Sequence, residues 1–236
     1  MRRFKVFATA WVCCVAMTAA AHAADMPGTW APPVEKQVFT DLVSGWYVRG
    51  DIGYRQQEFG SIDAPAPDFV TNWSIRSTPT VGFGGGYKYY WFRADVTVDY
   101  GTRARFEGDT ALAAAFYTAR FDSYTILANV YLDLGEWAGF TPYVGVGGGT
   151  TNVRMDEFVI GSAIPAPASS KWNASWAAMA GVAYRVTPRI VIDVGYRYLS
   201  MGDALSGTEP PLYTTRTNFT DLTAQELRVG FRWVLD

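Results

Sequence analysis

The sequence predicts an all-β protein, an eight-stranded antiparallel up-and-down transmembrane β-barrel. Three observations predict this fold. The chain begins with a segment typical of exported proteins, and beyond it there is no run of about 18 apolar residues that would form a membrane helix. Much of the remainder alternates between apolar and polar residues with a period of two, as strands do. Besides the helix, only a closed barrel spans a bilayer with its backbone hydrogen bonds satisfied.

The first 23 residues have the features of a cleaved signal peptide. Arg2, Arg3 and Lys5 precede an apolar run, and Ala21-His22-Ala23 provides a small-x-small cleavage site. The apolar run is too short to span a membrane. The predicted organisation is a signal peptide at 1–23, an extended periplasmic segment at 24–45 and an outer-membrane barrel domain at 46–236.

Composition excludes many kinds of chemistry. The single histidine, His22, and both cysteines, Cys13 and Cys14, lie in the predicted signal peptide, so the mature chain has no imidazole or thiol. We therefore expect no metal site, no cofactor and no enzymatic activity, since the known barrel enzymes resemble one another in using a histidine base. The chain carries a net charge of −2. Losing the basic leader makes it more acidic, which argues against a nucleic-acid partner.

Alternating segments and their connections set the strand count. In the clearest segment, Phe92, Ala94 and Val96 alternate with Arg93 and Asp95. The eight predicted strands are 46–56, 78–89, 91–100, 123–134, 140–150, 172–186, 190–198 and 226–233; which face of 140–150 points inward stays open. Short turns near 90, 135–139 and 187–189 alternate with long loops at 57–77, 101–122, 151–171 and 200–222. Outer-membrane barrels have this asymmetry, with the long loops outside the cell.

The alternation alone does not say which face meets lipid, because a soluble ligand-carrying barrel such as a lipocalin buries its apolar face. Charges of both signs on the polar face favour a polar interior, and aromatic residues near strand ends favour membrane girdles. The predicted interior charges are Arg49, Asp51, Arg55, Lys88, Arg93, Asp95, Asp99, Asp133, Arg185, Asp193, Arg197, Glu226, Arg228 and Arg232. The predicted girdle is Trp46, Tyr54, Tyr89, Trp91, Tyr100, Tyr124, Tyr184, Tyr198 and Trp233.

The charged face has a structural and a catalytic interpretation. An eight-stranded barrel is just wide enough for side chains to fill it, so enclosed charges must pair. Pairs such as Asp95 with Asp99, or Arg93 with Asp193, also invite a catalytic or ion-conducting interpretation, which we consider weaker. Glycine-rich stretches at 84–86 and 145–149 lack the Lys-Ser/Thr of a phosphate loop and are expected where the strands crowd.

Six segments together also resemble a known family. They resemble small outer-membrane proteins of the 25/31-kDa surface-antigen type, within the opacity-like and outer-membrane-protein-A-like barrels of Gram-negative bacteria. Family members usually end on an aromatic residue, whereas this chain ends Val234-Leu235-Asp236, so we expect assembly to rely on internal aromatic residues. The segments that carry the resemblance are 45–54, 91–100, 130–135, 141–147, 179–188 and 193–199.

The resemblance implies a surface-exposed outer-membrane protein with roles in envelope integrity or host contact. The partners expected from it are outer-membrane lipid and lipopolysaccharide, the barrel-assembly machinery and a host surface ligand. Two alternatives stay open: a small porin-like channel and a soluble periplasmic ligand carrier. Two interpretations of the loop tips also stay open: contact with a host surface or with lipopolysaccharide, or loops that are merely mobile and variable. The residues concerned are Pro65, Pro67, Phe69, Phe158, Pro165, Pro167, Pro210, Pro211 and Tyr213.

Overall fold

The computed structural model describes residues 44–63, 70–110, 116–160, 167–205 and 218–235. The predicted signal peptide, residues 24–43 of the predicted periplasmic segment and most of the loop residues named above lie outside the described residues. Among the described residues, no helix is long and apolar enough to cross a membrane. They form ten strands: β1 Gly45–Glu58, β2 Ser61–Asp63, β3 Val70–Ile75, β4 Thr78–Tyr89, β5 Phe92–Thr110, β6 Phe116–Asp133, β7 Phe140–Ile160, β8 Ser169–Arg185, β9 Ile190–Leu205 and β10 Asn218–Val234.

Eight of these strands close into an antiparallel barrel. Neighbours in sequence pair in the order β1, β4, β5, β6, β7, β8, β9, β10, and β1 also pairs with β10. Tyr47 illustrates the closure, since it lies opposite Gly86 on one side and Val234 on the other. The predicted eight-stranded up-and-down barrel is confirmed.

The short turns lie where the sequence predicts them, at 90–91, 134–139 and 186–189. Tyr90 (φ 51°) makes the tightest of them, and Gly135 and Gly139 adopt φ 118° and 84° in the longest. Glycine adopts such values without the steric cost that a Cβ brings. The three turns lie at one end of the barrel, which we call the lower end. In outer-membrane barrels this end faces the periplasm.

At the other end of the barrel the strands extend further than predicted, so the predicted lengths of the long loops are wrong. β5 continues to Thr110, β7 to Ile160 and β9 to Leu205, while β6 and β10 begin at Phe116 and Asn218. Two short strands continue the first hairpin in the same way, β2 along β10 and β3 along β5. Much of what the sequence predicts to be loop is therefore an upward extension of the barrel wall.

A β-bulge explains why the extension of β5 escapes the sequence pattern. Between Gly101 and Ala104 the register shifts, with two residues of β5 facing one of β6. Below the bulge the even-numbered residues point outward, and above it Arg105 and Glu107 are exposed while Phe106 is fully buried. Because of the extra residue, outward positions change from even-numbered to odd-numbered residues at the bulge. The apolar–polar alternation of one continuous strand therefore changes phase in the middle of the sequence.

Above the bulge the barrel has an apolar core. Phe59, Phe106, Phe121 and Phe219 meet there, with ring centroids of neighbouring pairs 5.1–6.3 Å apart. We call this set with its buried neighbours the aromatic core; the neighbours are Ala104, Ala119, Leu127, Val153, Met155, Ala177, Leu199, Met201, Ala204, Leu222 and Ala224. The polarity of the barrel is therefore inverted along its height: apolar outside at the turn end, and apolar inside at the far end.

Glycines on inward positions of the lower barrel leave room for large neighbours. A Cβ on Gly147 would overlap Oδ1 of Asn129, whereas a Cβ on the adjacent, outward Gly148 would meet nothing within 4 Å. Gly82 and Gly230 make room in the same way for the carboxylates of Asp99 and Asp51. Crowding therefore explains the inward glycines, and it fixes the phase of the 140–150 strand that the sequence leaves open.

Gly147→Ala is expected to lower the free energy of unfolding by about 1–3 kcal/mol, because it overpacks a filled interior. Gly148→Ala is the matched control: it adds the same methyl group one residue away, and it is expected to be neutral or slightly stabilising. Urea titration of the folded barrel, followed by tryptophan fluorescence, measures both. Equal midpoints for the two variants would contradict the crowding argument.

Candidate functional site

The outer surface of the lower barrel carries an apolar band closed by aromatic residues at both edges. Val96 and Phe83, in the middle, are 53% and 74% exposed. On β1 the band runs from Trp46 to Tyr54, nine residues. At about 3.3 Å per residue and the usual strand tilt, nine residues rise about 20 Å, close to the height of the apolar band of outer-membrane barrels.

The predicted girdle residues lie at the two edges of this band. Trp46, Tyr89, Trp91, Tyr184 and Trp233 lie at the turn end, and Tyr54, Tyr100, Tyr124 and Tyr198 at the far end. Tyr100 and Tyr198 are half-buried, and each contacts an exposed aromatic neighbour: Tyr100 lies against Tyr124 (4.8 Å between centroids) and Tyr198 against Trp176 (5.5 Å). Exposed aromatic residues that the predicted girdle left out are Phe83, Tyr87, Tyr90, Phe92, Trp137, Phe140, Trp172, Trp176, Tyr196 and Phe231.

Inside the band, Glu226 lies at the centre of a group of arginines. Its carboxylate accepts hydrogen bonds from Nε of Arg55 (2.5 Å), Nε of Arg197 (2.6 Å) and Nη1 of Arg228 (3.1 Å). Glu226 and Arg55 are fully buried, and Arg197 is 2% exposed. Arg55 belongs to β1, Arg197 to β9 and Arg228 to β10, the strand that also carries Glu226. This one carboxylate therefore links β1, β9 and β10.

The ion pairs continue from this group across the lumen. Asp99 of β5 accepts from Arg197 (2.7 Å) and Arg228 (2.6 Å). Arg228 also lies 3.5 Å from Asp51, which pairs with Arg49 at 2.7 Å. Four arginines and four carboxylates thus form one continuous, charge-balanced chain, which we call the lumen network: Arg49, Arg55, Arg197, Arg228, Asp51, Asp95, Asp99 and Glu226.

Asp95 is the last carboxylate of the lumen network, and it accepts hydrogen bonds from two neutral side chains as well as from one arginine. Its Oδ2 accepts from Nη1 of Arg49 (2.9 Å) and from the Tyr47 hydroxyl (3.0 Å), and its Oδ1 accepts from Nδ2 of Asn129 (2.8 Å). Buried charges are tolerated only when they are paired and hydrogen-bonded in this way. The pairs named for the weaker, catalytic interpretation do not describe these contacts: Asp95 pairs with Arg49, and Asp99 pairs with Arg197 and Arg228.

A second group of charges lies toward the turn end. Asp133 accepts from Nε of Arg93 and Nζ of Lys88, both at 2.8 Å. The Arg93 guanidinium also lies 4.7 Å from the ring centroids of Tyr131 and of Tyr143, a cation–π arrangement. The sequence prediction did not include Tyr131 and Tyr143 among the interior residues. Both fall on polar-face positions of their strands, and this pattern could have identified them as inward-pointing.

The remaining predicted charges form separate pairs. Arg232 of β10 binds Asp193 of β9 through two hydrogen bonds of 2.6 and 2.9 Å. Arg185 differs from the others because it pairs with Glu136 of the 134–139 turn, where both side chains are about one quarter exposed. Arg185 therefore lies at the mouth of the barrel and outside the lumen network.

Little space remains between these side chains. A cavity of about 20 Å³ lies against Arg49, Tyr143 and Arg228, and another of about 40 Å³ opens at the turn end beside Lys88 and Arg185. Volumes of this size hold one or a few waters. Among the described residues, no group of three or more acidic, histidine or cysteine side chains is placed to hold a metal ion.

The family follows from comparison with known proteins. The model of the outer membrane protein beta-barrel domain matches residues 11–234. The chain belongs to this family. It is therefore a protein of the outer membrane, and the resemblance seen in the sequence is confirmed at the level of this barrel family.

Relatives of this barrel support the same fold. An uncharacterized protein of Brucella abortus is 28% identical over 226 aligned residues, covering 78% of this chain and 77% of the relative. The crystal structure of Neisserial surface protein A is 21% identical (TM-score 0.50, 81% of this chain and 98% of that one). The outer membrane protein OprG of Pseudomonas aeruginosa is 14% identical (TM-score 0.54, 81% and 97%). At these identities the two structures show the fold alone.

Proposed function

We propose that this outer-membrane barrel is a non-enzymatic surface protein: a sealed anchor that supports the envelope and displays an extracellular extension. The observation that carries the proposal is the inverted polarity of the upper barrel. A wall with charged residues outside and an aromatic core inside is suited to water on its outer side, whereas the apolar band below is suited to lipid. Neisserial surface protein A, by its name a surface protein, has the same fold.

Several finer expectations belong to the same proposal. Residues 1–23 are removed on export, 24–45 lie in the periplasm, and 46–236 form the barrel. The girdle residues lie at the two membrane interfaces, and the barrel-assembly machinery inserts the chain. A host ligand, if there is one, contacts the extension and the loops above it, because rigid scaffolds commonly present binding residues on their loops.

A channel is the alternative, and the closed interior argues against it. An open path would have to pass both the lumen network and the aromatic core, each of which fills the barrel with packed side chains. Planar-bilayer recording of the inserted wild-type protein decides between the two. We expect no stepwise conductance; clear and reproducible steps would replace the sealed anchor with a porin.

Site-directed labelling tests the predicted orientation. The mature chain has no cysteine, so Glu107→Cys on the outer wall of β5 and Pro188→Cys in a turn give unique thiols. A membrane-impermeant maleimide added to intact cells is expected to label Glu107→Cys only. Pro188→Cys is the control, labelled after the outer membrane is permeabilised. Recovery of the protein in the soluble periplasm, or the reverse labelling pattern, would contradict the proposal.

A further inference from the structure

The charges enclosed in the lower barrel do not balance. The lumen network holds equal numbers of cations and carboxylates, and Arg232 is matched by Asp193. The group at the turn end differs, because Arg93 and Lys88 share one carboxylate, that of Asp133. Among the described residues, the interior of the lower barrel therefore encloses one cation more than it encloses carboxylates.

Asp133 satisfies each of its two cations only in part. Its Oδ1 accepts from Nε of Arg93 and its Oδ2 from Nζ of Lys88, so each cation holds a single oxygen. Nη2 of Arg93 is buried without a hydrogen-bond partner among the described residues, and Arg93 and Arg232 both repel the Lys88 ammonium. The Arg93 side chain is 1% exposed and that of Lys88 15%. An excess charge with so little access to water is costly unless a counter-ion accompanies it.

A cavity with the required donors lies beside this excess charge. It is the cavity of about 40 Å³ at the turn end, and the charged side chains that line it are three cations and one carboxylate: Lys88, Arg185, Arg232 and Asp133. The Lys88 ammonium has three N–H donors, of which Asp133 takes one. Arg232 donates to Asp193 through Nε and Nη2, so its Nη1 lies outside that pair. The cavity is therefore suited to an anion.

Volume and charge restrict the anion. A cavity of about 40 Å³ accommodates a few water-sized spheres, and a halide ion is only slightly larger than a water molecule. A doubly charged anion would bring two negative charges where one is missing. The cavity of about 20 Å³ beside Arg49 and Arg228 differs, because it borders the charge-balanced lumen network and needs only water.

We infer that the cavity at the turn end binds one small monovalent anion of halide size, between the Lys88 ammonium and the Arg232 guanidinium. The anion supplies the negative charge that the interior of the lower barrel lacks. Lys88 belongs to β4 and Arg232 to β10, and β1 lies between these two strands in the sheet. The bound anion therefore stabilises the barrel where it closes. The inference goes beyond the sealed anchor and holds for either orientation of the barrel.

Urea midpoints of the folded barrel at increasing chloride test the inference. Sodium chloride replaces sodium gluconate at constant ionic strength, since gluconate is too large for the cavity. The unfolding equilibrium constant of wild type is expected to fall about tenfold when chloride reaches about ten times its dissociation constant. Lys88→Gln removes the excess charge and leaves Asp133 paired with Arg93. This variant is expected to lose the chloride dependence and, without chloride, to be at least as stable as wild type.

Lys171→Gln is the matched control for Lys88→Gln. It removes the same charge from a partly exposed pair with Asp203, at the opposite end of β8 from Arg185. We expect this variant to keep the chloride dependence of wild type. Bromide locates the site directly: in wild-type crystals grown in sodium bromide, anomalous scattering is expected to show a peak between Lys88 and Arg232.

Three results would overturn the inference. Equal midpoints of wild type in chloride and in gluconate would show that the anion contributes nothing. Equal chloride dependence in wild type and Lys88→Gln would assign the effect to the salt in general. Bromide crystals without a peak in the cavity would exclude the site even if Lys88→Gln did not fold. Conductance and cysteine labelling are measured separately, so a failure here is distinguishable from a failure of the sealed anchor.

Discussion

Glu226→Gln is expected to lower the free energy of unfolding of the barrel by about 3–5 kcal/mol, the usual effect of removing one partner from a buried ion pair. The substitution keeps the shape of the side chain and removes its charge. Arg55, Arg197 and Arg228 then lose the carboxylate whose oxygens lie 2.5–3.1 Å from their guanidinium nitrogens. Arg55 is the most affected because it is fully buried and Glu226 is the only carboxylate with which the described structure pairs it.

Two comparisons isolate the charge effect. Glu107→Gln removes the same charge from an exposed pair with Arg105, in which both side chains are more than half exposed, and is expected to change stability by only about 0–1 kcal/mol. Adding Arg55→Gln to Glu226→Gln removes an uncompensated charge, so the double variant is expected to be more stable than Glu226→Gln alone. Urea midpoints for Glu226→Gln and Glu107→Gln that coincide would contradict the lumen network as a structural element.

Val96→Arg is expected to lower the free energy of unfolding in a bilayer by about 2–4 kcal/mol, the effect of arginine at the midplane on the lipid face of a barrel. Val96 lies in the middle of β5, opposite Ala128 of β6 and Gly85 of β4. Its side chain points out of the barrel and is 53% exposed. A guanidinium there has no partner within the apolar band, and it is too far from both aromatic edges to reach water easily.

Gln56→Arg is the matched control for Val96→Arg. Gln56 is exposed on the same outer surface, two residues beyond Tyr54 and therefore past the edge of the band. Arginine at that height is expected to cost less than about 1 kcal/mol, as near-interface positions do. Reversible unfolding in phospholipid vesicles measures both variants. If Val96→Arg were as stable as Gln56→Arg, the outer surface of the lower barrel would not be the lipid face.

The lower barrel was largely predictable from local patterns. Its strands keep one parity from end to end, so Phe92, Ala94 and Val96 alternate with Arg93 and Asp95 and identify both faces. The partners of the charges were not predictable. Arg93 has Asp133 as its partner and Arg232 has Asp193, because the register between strands decides which charges meet, and alternation within one strand carries no information about register.

By itself the sequence determined the class of the protein. Export features, period-two alternation, balanced charges on one face and aromatic residues at strand ends predict an eight-stranded membrane barrel, since each is a local property of the chain. Only the tertiary structure decided where the barrel wall ends and what fills it. The bulge at Gly101–Ala104 reverses the parity of β5, and the aromatic core joins Phe106 and Phe121 of the β5–β6 hairpin to Phe59 and Phe219, which are distant from them in the chain. Contacts between residues so far apart depend on barrel closure, which no local pattern contains.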